Sequence, residues 1–213
     1  MLGGRKLKLY SYIVTRDFGF APNPFRSVCT LATCKPKIRK NAQVEDWIVG
    51  IGSGAKGSQF KNKLIYAMQV QEKMGFDDYW KDPRFIKKRP VMNGSKRQMY
   101  GDNIYHRPSL DAPFIQEDSH HSLPDGEKND DNYKRDLSGQ YVLISNNFWY
   151  YGEDAIIIPD DFLCLAKVKR SHRVFEEKIK IDSFVEWLES LSQSGYLGQP
   201  YMFRTEFKRY DGK

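Results

Sequence analysis

The chain has 213 residues, 40% hydrophobic and 14% aromatic, enough for one substantial core and short for two. No stretch reaches the roughly 18 consecutive apolar residues of a membrane span, and residues 1–6 carry no signal-peptide apolar segment, so a soluble cytoplasmic protein is expected. Three cysteines, Cys29, Cys34 and Cys164, form no CxxC pair, which excludes a disulfide framework and a Cys-rich zinc site.

The net charge of +7 is unevenly spread. Residues 1–100 hold 20 Lys and Arg against 7 Asp and Glu, a net of +13, and residues 101–213 hold 14 against 20, a net of −6. A field concentrated in one half attracts polyanions, phosphates above all, although lysine-rich surfaces also serve solubility.

After a basic leader over residues 1–7, the alternating Leu7–Val14 segment predicts a central first strand. Residues 15–25 are broken by Gly and Pro yet carry Phe18, Phe20 and Phe25, the composition of a loop wrapped around a core edge or a ligand. Pro36 is placed to open a short basic helix whose charges face solvent or phosphate. Two strong strands follow over 46–52 and 64–71, joined by a Gly/Ser/Lys loop around Lys56 that lacks P-loop spacing.

Residues 75–82 read as a short helix or turn, and 84–136 as a long turn-rich insertion, functional or mobile. Strand composition returns over 140–151, and Phe162–Val168 reads as a short strand or packed segment. Ser183 with Glu186 resembles a capping box, so a C-terminal helix is predicted over 183–194, with Phe184, Val185, Leu188 and Leu191 as a core stripe. Together these elements predict a single α+β domain over 8–213: a small curved mixed or antiparallel β-sheet or barrel with flanking helices and long loops.

Several constellations could carry chemistry. His106, His120 and His121 lie among Asp102, Asp111, Glu117 and Asp118. Adjacent His120 and His121 point apart in an extended chain, so no metal is expected there. One histidine as general acid or base, or both as loop anchors, remain open. Asp118-Ser119-His120 has hydrolase-triad residue types at the wrong local spacing. Cys34 or Cys29 could be a nucleophile, and Lys35 beside Cys34 favours a thiolate, in competition with the ordinary role of cysteine as a small buried residue. Tyr100-Gly101-Asp102-Asn103-Ile104-Tyr105 suits stacking and edge-reading of a base, or a self-capped turn.

Five segments in order, YSYIVTRDFGFAPNPF at 10–25, CTLATCKP at 29–36, DWIVG at 46–50, YGDNIY at 100–105 and DSHH at 118–121, resemble the bacterial and phage family called nucleotide modification associated domain 2. The resemblance spans residues 8 to 160 and implies a DNA-modification or phage-defence context without defining a reaction. The segment 44–80 also resembles the PUA-like group (EVE, ASCH and YTH domains), which implies a curved barrel holding a modified base in an aromatic pocket.

The reading that follows is a nucleic-acid or nucleotide binding protein. Arg16, Asp17, Phe18, Asn23, Phe25, Lys35, Trp47, Tyr100, Asn103 and Tyr105 would hold the base or nucleotide, and Lys37, Arg39 and Lys56 its phosphates. The alternative is an enzyme on the same ligand class, using His106, His120 or His121 with Asp102 or Asp118. A protein interaction module would be favoured by an exposed C-terminal stripe. No cofactor is expected. The nucleotide readings require the loop after the first strand and the turn-rich middle to meet around one cavity.

Overall fold

The computed structural model describes residues 5–169, 171–191 and 193–210; the start of the expected basic leader lies outside them. Strand β1 (Leu9–Val14) leads through the 15–28 loop to β2 (Cys29–Leu31) and helix α1 (Pro36–Asn41). Next come β3 (Trp47–Gly52), β4 (Lys63–Gln69), β5 (Glu72–Gly75) and α2 (Phe76–Lys81). The turn-rich middle holds α3 (Lys96–Met99), β6 (Tyr105–His106), β7 (Ile115–Gln116) and α4 (Asp130–Leu137). The chain continues through β8 (Tyr141–Ser145), β9 (Phe148–Tyr150), β10 (Ile156–Ile157) and β11 (Arg173–Phe175) to α5 (Lys178–Ser190) and β12 (Gly195–Tyr196).

The main sheet runs β11-β1-β3-β4-β9-β12, with β10 on the end of β4, and a second sheet runs β2-β8-β5. Both are open, so the α+β architecture stands and the barrel gives way to mixed sheets. β1 and β3 pair in parallel from Leu9↔Trp47 to Val14↔Gly52, which forces the intervening chain to leave the sheet and return. That excursion carries β2 and the α1 turn. Every residue of β3 is buried, as a strand covered on both faces requires. Gly50 lets it pass under Tyr66, whose ring lies 2.5 Å from where a Cβ would stand.

Strand β8 divides the interior. Leu143 joins an aliphatic and aromatic core around β1, β3, β4 and α5, whereas Val142 and Ile144 join a second core with Phe18, Phe20, Phe76, Tyr79, Phe85, Tyr100 and Tyr105. The period of two along a strand produces this alternation. The second core is built from the apolar loop after β1 and the turn-rich middle, which meet there with the rings of Phe18, Phe20, Tyr100 and Tyr105 buried.

Three local expectations change. Residues 160–166 form a 3-10 helix, not a strand, with Leu165 buried. Helix α5 starts at Lys178 and ends at Ser190, not 183–194, because burial of Ile181 beside Phe184 and Leu188 carries the apolar stripe one turn upstream of the local capping signal. Its stripe is core, which removes the support for an interaction module. Helix α4 was not foreseen in the middle segment; Asn129 caps it, accepting from the backbone N–H groups of Asp131 and Asn132.

Candidate functional site

Cys34 sits at the turn between β2 and α1, and both it (φ 54°) and Lys35 (φ 38°) are left-handed. Two consecutive non-glycine residues there cost about 1–3 kcal/mol each and persist only where surrounding contacts fix them. The contacts are visible. The buried Arg39 guanidinium donates from Nε to the Cys34 carbonyl (2.8 Å), and from its two terminal nitrogens to the carbonyls of Tyr141 (2.7 Å) and Asp136 (2.5 Å). Gly139 has no side chain to obstruct this, since a Cβ there would lie 2.5 Å from the guanidinium carbon.

Asp136, on α4, completes the tie. Its Oδ1 accepts from the Cys34 backbone N–H (2.8 Å), and its Oδ2 accepts from Tyr105 Oη–H (2.9 Å) and from His121 Nδ1 (2.6 Å). The far nitrogen of that imidazole, Nε2, lies 3.6 Å from Cys34 Sγ. Thiol, imidazole and carboxylate thus stand in line, each touching the next, as in a nucleophile–base–orienting acid arrangement.

Burial opposes charge on His121, but the Asp136 carboxylate, the Cys34 sulfur and the hydrogen bonds to both outweigh that, raising the histidine to about 10. Burial likewise opposes charge on Asp136, and His121 and Arg39 overcome it, holding the acid below its ordinary value. At neutral pH the imidazole is therefore protonated, with Nε2–H facing sulfur.

The same three side chains could be read as metal ligands, their candidate atoms lying within 4.8 Å of one another. The hydrogen bonds argue for the triad. Both Asp136 oxygens already accept, from three donors, and His121 Nδ1 is committed to one of them. Sγ and Nε2 remain, two donors where transition-metal sites usually need three or four protein ligands.

Sγ opens on a cavity of about 310 Å3 at the end of β1. Its lining includes the aromatic rings of Tyr12, Phe18, Phe20 and Tyr210, both adjacent histidines, and the cations Arg16, Lys35 and Arg135. Among the described residues no carboxylate lines it. Lys35 Nζ lies 4.3 Å from the centre of the Tyr12 ring, and Arg16 and Arg135 approach the Tyr210 ring at 5.0 and 5.6 Å. The C-terminal segment forms the outer wall: the Tyr210 N–H donates to the His120 carbonyl (2.7 Å), and Asn132 Nδ2 donates to the Tyr210 carbonyl (2.6 Å).

A family model described as nucleotide modification associated domain 2 matches residues 6–207. The chain belongs to this family. No curated protein and no solved structure matches it. For this nucleotide modification associated domain, the sequence-predicted residues divide into those on the cavity and those elsewhere.

Arg16, Phe18, Lys35, His120 and His121 line the cavity. The two histidines do not point apart: their rings stack 5.6 Å apart at 29°, because residues 119–122 form a turn closed by the Ser122 N–H on the Ser119 carbonyl. His120 donates from Nδ1 to the Lys208 carbonyl, and burial, reinforced by the positive His121, lowers it to about 3. It is a neutral base-side imidazole beside a charged one.

Tyr105 reaches the site only through Asp136. Asp17 is buried beneath the loop, accepting from Tyr150 Oη–H at 2.5 Å, and burial raises it to about 6.

Other candidates are structural. Asp102 accepts from Thr30 Oγ1–H (2.5 Å) and Tyr79 Oη–H (2.9 Å), and Asn103 donates to the Tyr79 and Phe85 carbonyls. Asn23 donates to the Tyr100 carbonyl and accepts from the buried Lys88 ammonium. Trp47 lies in the main core against Trp149, Tyr100 stacks on Phe18, and Phe25 packs against Tyr196 and Phe203. His106 pairs with Glu117 and stacks on Trp80, and Asp118 pairs with Arg209. Arg39 is fully buried with its donors on carbonyls, so it is a tether and not a phosphate ligand. Lys37 and Lys56 are exposed and outside the cavity lining. Cys29 is buried and pushed up to about 12 by burial, so of the two cysteines considered as nucleophile Cys34 is the one with access.

Asp136, Arg135 and Tyr210 were missed. Asp136 had a readable signal, because Asn129-Asp130-Asp131 is an N-cap followed by acidic first-turn residues. Tyr210 had none, since only the tertiary path brings it to the histidines.

Proposed function

We propose that this family member is a thiol-dependent enzyme acting on a nucleotide or a modified base. Cys34 is the nucleophile, His121 gives and takes the proton, and Asp136 orients His121. The observation that carries this reading is the 3.6 Å and 2.6 Å chain from Sγ through His121 to Asp136, opening on a cavity. The nucleotide part rests on the family's description.

The step is covalent. Sγ attacks as thiolate, its proton already held on Nε2 of His121, and bonds to an electrophilic carbon such as an amide or ester carbonyl while the displaced π pair moves to oxygen. Collapse of that adduct expels the leaving heteroatom, which takes the Nε2 proton of His121. Water then attacks the thioester, giving its proton to Nε2, and Sγ departs as thiolate. The Cys34 N–H is engaged by Asp136, so charge developing on oxygen must be met from elsewhere on the cavity wall.

Two measurements test this. Alkylation by iodoacetamide at pH 7 followed by peptide mass spectrometry should modify Cys34 well ahead of the half-buried, free Cys164. Incubation with acylated nucleotides and modified nucleosides should give turnover that is lost in Cys34→Ala and His121→Gln. Equal alkylation of the two cysteines, or turnover surviving in Cys34→Ala, would overturn the assignment.

A further inference from the structure

Two cations on the cavity wall, Lys35 and Arg16, meet no carboxylate among the described residues. Lys35 is half-buried, and burial lowers its pKa. Among the described residues its ammonium has no carboxylate or hydrogen-bond acceptor; it lies over the face of Tyr12, and the neighbouring Cys34 sulfur favours its charge. Arg16 meets the Tyr210 ring and, among the described residues, no acidic group. The Asp136 carboxylate is fully buried behind His121 and engaged by three donors. A partly desolvated ammonium without a counter-charge is costly, and an arriving anion removes that cost. Exposed lysines such as Lys37, already hydrated, gain far less.

We infer that Arg16 and Lys35 form an anion subsite beside Cys34 that takes the phosphate of a nucleotide, making the ligand a nucleoside phosphate and not a free nucleoside or base. This deepens the preceding proposal and rests on its nucleotide reading. Arg16 supplies a planar fork suited to two phosphate oxygens, and Lys35 a point charge. Aromatic side chains on the same wall supply ring faces for the base. Lys35 follows Cys34 directly in sequence, so the left-handed turn that presents the thiol also fixes the subsite next to it.

Calorimetric titration with deoxynucleoside 5′-monophosphates, the matching deoxynucleosides and a short single-stranded oligonucleotide reads the subsite without any turnover. The monophosphates should bind about tenfold or more tightly than the nucleosides, with an advantage that shrinks as salt rises. Lys35→Met and Arg16→Gln should each remove most of that advantage, Lys35→Arg should retain it, and Lys37→Met should leave it unchanged. If the oligonucleotide binds with the same losses and the monophosphates do not, the phosphate is supplied by a strand, and the subsite stands. Equal affinity for nucleotide and nucleoside, or an advantage that survives Lys35→Met, overturns it. Cys34 alkylation is an independent reading: rapid alkylation without phosphate preference sinks the subsite alone, and phosphate preference without rapid alkylation sinks the nucleophile alone.

Discussion

Replacing Asp136 by Asn keeps the side-chain shape and removes the charge that holds the His121 proton. The native histidine is raised from 6.5 to about 10 by Asp136 together with the Cys34 sulfur, so Asp136 accounts for only part of the roughly 5 kcal/mol that the whole difference represents at about 1.4 kcal/mol per pH unit. Loss of one member of a buried ion pair commonly costs about 3–5 kcal/mol, so the lower part of that range is the expected loss at pH 7. The sign follows from proton binding. The folded state holds the His121 proton more tightly than the unfolded chain, so the contribution is complete below about pH 6.5 and declines as pH rises through about 10. Urea denaturation of wild type and Asp136→Asn at pH 6.5, 8 and 10 should therefore give a gap of about 3 kcal/mol that narrows steadily toward the alkaline end. A gap below about 1 kcal/mol at pH 6.5, or one that does not change with pH, would refute the coupling between the two residues.

Further outcomes follow from the same contacts. Lys88→Met should destabilise by about 3–5 kcal/mol in urea denaturation, because the buried ammonium donates to the Asn23 and Val28 carbonyls, Asn23 Oδ1 and Thr30 Oγ1, and would leave Asp102 without its nearest cation. Asp17→Asn should stabilise by about 2 kcal/mol at pH 8 and little at pH 4. Burial raises Asp17 to about 6, so its penalty develops as pH rises from about 4 to 6 and is complete above that. Gly139→Ala should displace Arg39 and slow Cys34 alkylation several-fold, with near-native far-ultraviolet circular dichroism, since the added Cβ meets the guanidinium and not the sheet.

The strands were legible because their pattern is local: the apolar runs at 46–52 and 64–71 read directly as strands, and they stand at Trp47–Gly52 and Lys63–Gln69. The meeting of the 15–25 loop with the 100–121 region was also legible, since three phenylalanines in a Gly/Pro-broken stretch need something to pack on. The identity of the acid was not. Asp118 lies only three residues before His121, but a turn aims the His121 ring toward α4, where Asp136 waits fifteen residues on. Asp102 and Asn103 have the residue types of a base reader, yet burial with Lys88 gives them a framework role that composition cannot distinguish. Arg39 was misread for the same reason. A cation in a basic helix is indistinguishable in sequence from its exposed neighbours Lys37 and Lys40, and only the fold shows three carbonyls closing on it.

That guanidinium has an evolutionary corollary. Because Arg39 fastens main-chain atoms on both sides of the reactive trio, the spacing of sulfur, imidazole and carboxylate depends little on which rings face the ligand. Relatives could exchange Phe18, Phe20 or Tyr210 and so accept differently decorated bases while inheriting one unchanged reactive centre. Diversity of target and constancy of chemistry would then be separable within a single scaffold.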